Sequence, residues 1–232
     1  VRQLSEAGAS VLAADIDAAA LGDQAAATGC VTREVDVSGL EANEAMAAAA
    51  VDHFGRLDLA FLNAGMLGRP IGEQASPVDL ARLSIDRYRA VVDVNLHGVT
   101  YGTLACAAAM GAGGGGAIVA TASAAGLVPW SPDPFYTITK HGVVGWVRSI
   151  APALEADGIS IDAICPGGVA TPLVGVAATD EPQPHLLSAA QVAEAMIATA
   201  LEEGSGRAVR VVAGRDEVRQ VHDFNPIPGF NV

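Results

Sequence analysis

The chain has 232 residues, of which 51% are hydrophobic and 17% are charged, which is enough to bury one substantial core and predicts a single domain over residues 1–232. A formal net charge of −13 and the absence of any cluster of basic residues argue against a nucleic-acid partner, because a phosphate backbone is bound by a basic surface. The three cysteines are far apart and the five histidines lack metal-ligand spacing, which predicts no metal site and a reduced, cytoplasmic setting. The stretch at 98–132 carries no charge, but glycines and prolines interrupt it, so we predict no membrane span there.

Short β-branched runs alternate with longer alanine-rich runs along the chain. In order, we predict a strand at 10–16, a helix at 18–28, a strand at 31–37, a helix at 40–55 that Gly55 closes, a strand at 57–65, a helix at 84–110, a strand at 116–123, a helix at 136–158, a strand at 159–165, a helix near 188–203 and a strand at 207–213. Apolar strands alternating with helices predict an α/β, doubly wound parallel sheet of Rossmann type, with three αβα layers. Ligands of such sheets bind beyond the carboxyl ends of the strands, which is where we look for the site.

One glycine-rich stretch looks like a dinucleotide motif but stands in the wrong context. GAGGGG at 111–116 satisfies GxGxxG, yet it follows a predicted helix and precedes a predicted strand. A dinucleotide-binding turn follows a strand and opens a helix, so that backbone N–H groups face the pyrophosphate. We therefore predict a flexible turn at 111–116 and no phosphate site.

Lys140 is the only lysine in the chain, because the other basic residues are arginines. It lies four residues after Tyr136 in a predicted helix, so the phenol and the ammonium share one helix face. Ser123 ends the preceding strand. A Tyr–Lys pair at this spacing is commonly a surface contact, but a single lysine in a chain that otherwise uses arginine favours a role for a compact point charge.

These residues and three further motifs resemble the short-chain dehydrogenase/reductase family. The motifs are LNAG at 62–65, VNLHG at 94–98 and CPGGVATPL at 165–173, and all stand in the family's order and spacing over nearly the whole chain. The resemblance implies an oxidoreductase that transfers a hydride between NAD(H) and a secondary alcohol or ketone.

The resemblance also implies catalytic roles for four side chains. Tyr136 would be the general acid/base, Lys140 would lower its phenol pKa and bind the nicotinamide ribose, and Ser123 would hydrogen-bond the substrate oxygen. Asn95 would bend a helix and hold a water of a proton relay. The chemical need is plain, because a phenol with a pKa of about 10 is a poor base at neutral pH unless an ammonium and the positive nicotinamide ring favour the phenolate.

An NAD cofactor follows from the same resemblance. Asp15, beside Ile16, takes the place of the residue that meets the adenosine ribose, where a carboxylate accepts two hydroxyl hydrogen bonds and repels a 2′-phosphate. The alternative is that Asp15 or Asp17 caps the next helix. The resemblance places the adenine contact at Asp36 and Val37. It places the adenosine contact at Asn63, Ala64 and Gly65. The nicotinamide carboxamide is expected to contact Pro166, Gly167, Val169 and Thr171.

The family's opening strand and its glycine-rich TGxxxGxG turn have no counterpart in the sequence. Val1 is expected to lie already in the helix that follows that turn, and we predict no signal peptide from the first residues. A strand, turn and helix before a second strand take roughly 30 residues, so about 15 to 20 residues would be missing. The missing strand would be central, and without it the strands at 10–16 and 57–62 would lie about 9.5 Å apart. We therefore expect the natural protein to be longer than this sequence.

The substrate is expected to be a moderately apolar alcohol or ketone, because apolar side chains lie near the expected pocket. The alternative is that these side chains are ordinary core residues. They are Leu127, Val128, Trp130, Phe135 and Leu173. One alternative is an NADPH-dependent carbonyl or ketoacyl reductase, which Asp15 disfavours because no arginine follows it. Another is a non-catalytic nucleotide-sensing scaffold, which would need none of the four catalytic side chains.

Self-association is expected from the resemblance, as a homotetramer or homodimer. In the family, the two helices that correspond to 84–110 and 136–158 form a four-helix interface. The small residues of these helices would allow close approach of helices across that interface, or alternatively close packing on the chain's own sheet. They are Gly98, Gly102, Ala105, Ala109, Gly142 and Gly145. The segment 172–188 is expected to form the substrate loop. The tail at about 214–232 is expected to lie across the substrate cleft or a neighbouring subunit.

Overall fold

A computed structural model of the chain describes residues 1–69, 83–176, 185–214 and 218–225. Strands and helices alternate as predicted. The elements are α1 (Arg2–Glu6), β1 (Leu12–Asp15), α2 (Ala18–Thr28), β2 (Val31–Glu34), α3 (Leu40–Phe54), β3 (Leu59–Leu62), α4 (Ile85–Val92), α5 (Gly98–Gly113), β4 (Gly116–Thr121), α6 (Pro134–Glu155), β5 (Ile159–Pro166), α7 (Ala189–Leu201), β6 (Ala208–Val211) and β7 (Arg219–Val221).

The strands of the described residues form two sheets. The larger has the order β3-β4-β5-β6-β7, parallel except for β7, which runs antiparallel to β6. β1 and β2 pair in parallel as a separate two-stranded sheet, and within the described ranges no strand bridges β1 and β3. This break lies where the sequence predicted that a central strand would be lacking. The α/β fold with a parallel sheet between helices is confirmed, and the parallel strands end at one edge, where the site lies.

Alternating side chains of β4 and β5 feed two apolar cores, one on each face of the larger sheet. Ile118 and Ile161 pack with α3, α5 and α6, whereas Val119 and Ile164 point to the opposite face and pack with α7. All four are at most 1% exposed. Burial of each such side chain contributes about 1.5–3 kcal/mol, so both layers of helices are held to the sheet by the hydrophobic effect.

The predicted helix at 84–110 is interrupted. α4 is capped by Ser84, whose side chain accepts from Arg87 N, and a π-helical turn, Asp93–His97, joins it to α5. Such turns concentrate at functional sites. The turn contains Asn95, which is fully buried.

Two predicted boundaries are corrected by the structure. α6 begins at Pro134 because Asp133 is its N-cap, and proline suits the first helical position since its missing N–H has no intrahelical partner there. The glycines of 111–116 do not form a separate turn: α5 continues to Gly113, and Gly114 closes it with a φ of 93°. The helix ends where a left-handed residue is required, which glycine adopts at little cost.

Several small residues expected at an oligomer interface pack inside the chain instead. A Cβ on Gly98 would lie 2.8 Å from Val37 Cγ2, and one on Gly102 would lie 2.8 Å from Leu62 Cδ2. For these two glycines the alternative interpretation, close packing within the chain itself, is the correct one. Gly145, by contrast, is exposed, and an added Cβ would meet nothing within 4 Å.

The described part of the tail lies along its own chain. β7 pairs with β6, and the guanidinium of Arg148 in α6 sits 3.7 Å from the centroid of the Phe224 ring. The expected position across the cleft or against a neighbouring subunit stays a prediction. Residues 215–217 and 226–232 of the predicted tail lie outside the described residues.

Candidate active site

The Ser123, Tyr136 and Lys140 side chains meet beyond the carboxyl end of β4. The hydroxyl of Ser123 hydrogen-bonds the phenol of Tyr136. Lys140 Nζ lies 5.5 Å from the centroid of the Tyr136 ring and donates to Thr121 O at 2.7 Å. The pair shares one face of α6 because residues four apart are neighbours on a helix.

Burial dominates the electrostatics of this cluster. Lys140 is 2% exposed, and burial lowers its pKa to about 8, an effect that the Cys165 sulfur opposes. Burial also raises the pKa of the Tyr136 phenol; the hydrogen bond from Ser123 lowers it, and the charges of Asp133 and Cys165 raise it. In the protein without a cofactor the net direction of the phenol pKa is upward, because desolvation of the phenolate outweighs the hydrogen bond. The lowering expected from the ammonium together with the nicotinamide ring stays a prediction.

Cys165 is a neighbour of this cluster whose role sequence reasoning missed. It is fully buried at the end of β5, and burial raises the pKa of its thiol to about 12, although a hydrogen bond from the Ser123 backbone and the charge of Lys140 both act in the opposite direction. The CPGG motif gave no sign of this contact, since the motif was considered only for its backbone.

Asn95 ties the π turn to the segment that follows β3. Its Oδ1 accepts from Met66 N at 2.8 Å, and its Nδ2 donates to Met66 O at 2.9 Å and to Thr139 Oγ1 at 3.2 Å. The side chain therefore holds both backbone groups of Met66 and reaches α6. The structure places Asn95 at the predicted helix distortion, and its role in a proton relay stays a prediction.

The predicted adenosine segment of Asn63, Ala64 and Gly65 runs directly beside the catalytic cluster. Thr121 Oγ1 donates to Asn63 Oδ1 at 2.9 Å. A Cβ on Gly65 would lie 3.3 Å from Asn95 Oδ1 and 3.5 Å from Lys140 Nζ. Because Gly65 has no side chain, its backbone is accessible next to Lys140, which allows a ligand to approach closely.

Asp15 and Ile16 stand at the carboxyl end of β1, away from the cluster in sequence. Asp17, not Asp15, caps α2, because its side chain accepts from Ala19 N and Ala20 N. Asp15 Oδ1 accepts from Asp17 N at 3.0 Å, and Ile16 is 65% exposed. The helix-cap alternative therefore applies to Asp17 and leaves the exposed Asp15 carboxylate as the candidate for a ribose.

Asp36 and Val37 follow β2. Asp36 Oδ1 accepts from Ser38 N at 3.0 Å, and the hydrogen bonds from Ser38 lower the pKa of this carboxyl. Val37 packs against α5 at Gly98. Both residues lie at the carboxyl end of β2, next in the sheet to β1 and Asp15.

The predicted carboxamide segment begins where β5 ends at Pro166. Gly167 N donates to Val211 O at 2.8 Å, Val169 forms an isolated bridge with Leu187, and Thr171 precedes a short 3-10 turn. Of the predicted substrate loop, residues 177–184 lie outside the described residues.

Comparison with known proteins decides the family. The model of the short chain dehydrogenase family matches residues 1–182. This chain belongs to that family.

Relatives agree with this assignment. The chain is 38% identical over 181 residues to the cyclohexanol dehydrogenase of Acinetobacter sp. (strain SE19), an alignment that covers 74% of this chain and 67% of the relative. Levodione reductase, a solved structure, is 32% identical with a TM-score of 0.67, over 74% of this chain and 67% of the other. The 3-ketoacyl-(acyl-carrier-protein) reductase of Brucella melitensis, solved with NADH, has a TM-score of 0.81 over 93% and 91% of the chains at 23% identity, which shows a shared fold. The chain spans about half to two thirds of the length of the curated relatives it matches.

One further residue of this short-chain dehydrogenase site was missed by sequence reasoning. Asp133 is 2% exposed and accepts from the backbone N–H groups of Gly68, Arg69 and Tyr136. The signal that could have found its helix contact is the Asp-Pro pair ahead of Phe135, since aspartate favours the N-cap and proline the next position.

Four of the five predicted substrate residues divide into two groups. The Trp130 ring meets the Tyr136 ring edge-on, 5.8 Å between centroids, and Val128 is 55% exposed, so both can face a ligand. Leu127 packs against the larger core, and Phe135 pairs with Tyr88 of α4 at 5.2 Å. For Leu127 the core alternative is the correct one.

Neither a membrane segment nor a metal cluster is found in the described ranges. No helix there has both the length and the apolar composition to cross a bilayer, and no group of three or more His, Cys, Asp or Glu side chains is placed to hold a metal ion.

Proposed function

We propose that this chain is an NAD(H)-dependent oxidoreductase that interconverts a secondary alcohol and its ketone. The observation that carries the proposal is the convergence of the Ser123 hydroxyl, the Tyr136 phenol and the buried Lys140 ammonium beyond the carboxyl end of β4. A scaffold would need none of the three. The similarity to a cyclohexanol dehydrogenase supports a cyclic secondary alcohol as substrate, and the similarity to levodione reductase supports the carbonyl form as its counterpart.

The proton chemistry belongs to Tyr136. In the oxidative direction its phenolate accepts the proton of the substrate hydroxyl, while Ser123 hydrogen-bonds the same oxygen and holds it in place. The nicotinamide, when bound, supplies the hydride acceptor or donor. In the reductive direction Tyr136 returns the proton to the carbonyl oxygen. Because burial raises the pKa of this phenol, alcohol oxidation is expected to increase with pH as the phenolate forms.

Lys140 supports the phenolate through its charge. With a pKa of about 8 it is mostly protonated at neutral pH, and its Nζ faces the Tyr136 ring. The same ammonium stands beside Gly65, where the ribose of a cofactor would approach. Lys140, Asn63, Ala64, Gly65, Pro166, Gly167, Val169 and Thr171 are the residues we assign to the nicotinamide and adjoining adenosine portions.

The residues at the carboxyl ends of β1 and β2 fit the adenosine portion of NAD. The exposed carboxylate of Asp15 ends β1, and the next residue is Ile16, so no basic side chain follows directly to neutralise a 2′-phosphate. A carboxylate in that position favours a free ribose over a phosphorylated one. Asp36 and Val37 stand at the end of the neighbouring strand and are assigned to the adenine.

Fluorescence titration with NADH and, separately, NADPH tests the cofactor assignment. We expect tighter binding of NADH to the wild-type protein and loss of this preference in Asp15→Ala. Asp23→Ala, an exposed charge removed from α2, is the matched control and should keep the preference. Failure of the wild-type chain to bind either cofactor at millimolar concentration would refute the proposed function for this chain.

A substrate panel tests the chemistry. Cyclohexanol and other apolar secondary alcohols are expected to turn over with NAD, and Tyr136→Phe is expected to abolish turnover while leaving NADH binding in place. Turnover confined to short, strongly charged hydroxy acids would contradict the apolar substrate.

Self-association as a tetramer or dimer, and a cytoplasmic location, belong to the same proposal. The exposed Leu104 and Gly145 on α5 and α6 support a helix-to-helix contact between copies. Light scattering that finds a monomer at micromolar concentration would count against it.

A further inference from the structure

The segment that follows β3 is held to the fold through its backbone by three side chains. Asn95 binds both backbone groups of Met66. Arg87 of α4 donates to Leu67 O at 2.6 Å and to Gly68 O at 3.3 Å. The N–H groups of Gly68 and Arg69 donate to Asp133 Oδ2 at 2.6 and 3.1 Å. Buried backbone groups need such partners, so this segment depends on all three side chains.

Asp133 differs from the other two because its second oxygen accepts from a backbone N–H in the first turn of α6. Asp133 Oδ1 accepts from Tyr136 N at 2.9 Å, and its backbone C=O accepts from Thr137 N. One buried carboxylate therefore joins the first turn of α6 to the segment next to the predicted adenosine site. Gly68 reflects how close this contact is, because a Cβ there would lie 2.5 Å from Asp133 Oδ1.

We propose that Asp133 is a positioning residue of this active site, whose carboxylate fixes the Tyr136 phenol relative to the segment that follows β3. The inference rests on the proposed function for its catalytic meaning, although the contacts themselves do not. Its charge has a second effect, since a negative charge near the phenol disfavours the phenolate and raises the phenol pKa.

Other groups around the phenol act on the same titration and remain in place when Asp133 is changed. Ser123, after β4, hydrogen-bonds the phenol, and Cys165 of β5 raises the phenol pKa. Lys140 lies one turn along α6. Arg69 sits over the Trp130 ring at 5.5 Å from its centroid, and that ring in turn meets Tyr136. Removal of one carboxylate should therefore lower the phenol pKa without abolishing its titration.

The test is a titration of the phenol in Asp133→Asn, which removes the charge and one of the two acceptor oxygens. Protein labelled at the tyrosine ring carbon that bears the oxygen gives three NMR signals, and Tyr136→Phe identifies the one that matters. We expect the Tyr136 signal to titrate at lower pH than in the wild type. Asp133→Ser, which keeps a helix-capping oxygen but has no charge and no second acceptor, should do the same and serves if the asparagine variant does not fold.

Asp162→Asn is the matched control. Asp162 is also 2% exposed and accepts a backbone N–H, from Arg207, at 2.7 Å, but it lies inside β5 and not among the groups that act on Tyr136. The same substitution there removes a buried carboxylate and an ion pair, so it reports general damage. It should leave the phenol titration unchanged.

Kinetics supply the second readout. In Asp133→Asn and Asp133→Ser, kcat for alcohol oxidation should fall by about tenfold to a hundredfold at the pH optimum, the scale expected from misplacing a catalytic group. The rise of kcat with pH should also move to lower pH, which a purely structural role would not produce.

The two proposals fail in different ways. The phenol titration needs neither cofactor nor substrate, so an unchanged Tyr136 pKa in both Asp133 variants would overturn the role of Asp133 even if NADH binds. A shift of equal size in Asp162→Asn would overturn it as well. Absence of NADH binding, by contrast, would overturn the proposed function alone.

Discussion

Replacement of Lys140 by methionine should make the protein more stable at neutral pH and change how its unfolding free energy depends on pH. Lys140 is buried at 2% exposure, and burial lowers its pKa from 10.5 to about 8. Between these two pH values the unfolded chain binds a proton that the folded chain has released. Stability of the wild type therefore rises with pH across this window, relative to a variant without the lysine.

The magnitude follows from the gap between the two pKa values. A gap from 10.5 to about 8 corresponds to about 3 kcal/mol, since each pKa unit is worth about 1.4 kcal/mol. This is the destabilisation by the buried ammonium below pH 8, and it disappears near pH 10.5. Methionine also loses the hydrogen bond to Thr121 O, which costs about 1 kcal/mol or more. That cost does not vary with pH and cancels when differences are compared.

Urea denaturation of the wild type and Lys140→Met at pH 7, 8.5, 9.5 and 10.5 measures the effect. We expect the unfolding free energy of the wild type to rise by about 3 kcal/mol relative to that of the variant between pH 7 and pH 10.5. Since Lys140 is the only lysine, protein labelled with [ε-13C]lysine gives one side-chain signal that reports the same pKa directly. A difference in unfolding free energy that is constant with pH, or a lysine signal that titrates near 10.5, would refute the reasoning.

Further predictions concern packing, thiol reactivity and association. Gly126→Ala should cost about 1–3 kcal/mol in unfolding free energy, because its Cβ would lie 2.6 Å from Lys140 O, whereas Gly22→Ala in α2 meets nothing within 4 Å and should gain about 0.5–1 kcal/mol; equal effects on thermal denaturation would contradict this. Iodoacetamide at pH 8 should label Cys30 alone in the native protein and all three cysteines in urea, because the other two are buried with thiol pKa values of about 12; mass spectrometry that finds two or three labels without urea would contradict it. Leu104→Glu, at a 48% exposed position of α5, should shift light scattering from an oligomer to a smaller species, and an unchanged mass would place the interface elsewhere.

Local pattern was enough to predict the framework of this protein. The alternation of strands and helices, the α/β fold and the break beside β1 could all be inferred, because hydrophobic periodicity and the family's strand order are readable along the chain. The sharing of one helix face by Tyr136 and Lys140 follows from their spacing alone. What local pattern could not settle was which of two nearby residues takes a cap, as with Asp15 and Asp17, or where a helix bends.

By itself, then, the sequence determined the family and the layers of the fold, and it pointed to the candidate catalytic side chains. The tertiary structure decided what surrounds them. Asn95, Arg87 and Asp133 hydrogen-bond the segment after β3, and these bonds join residues 20 to 65 positions apart in the sequence. No short-range sequence pattern predicts contacts between residues so far apart. The direction of the Tyr136 and Lys140 pKa shifts was also decided there, because desolvation depends on which distant segments pack around a group and not on its neighbours in the chain.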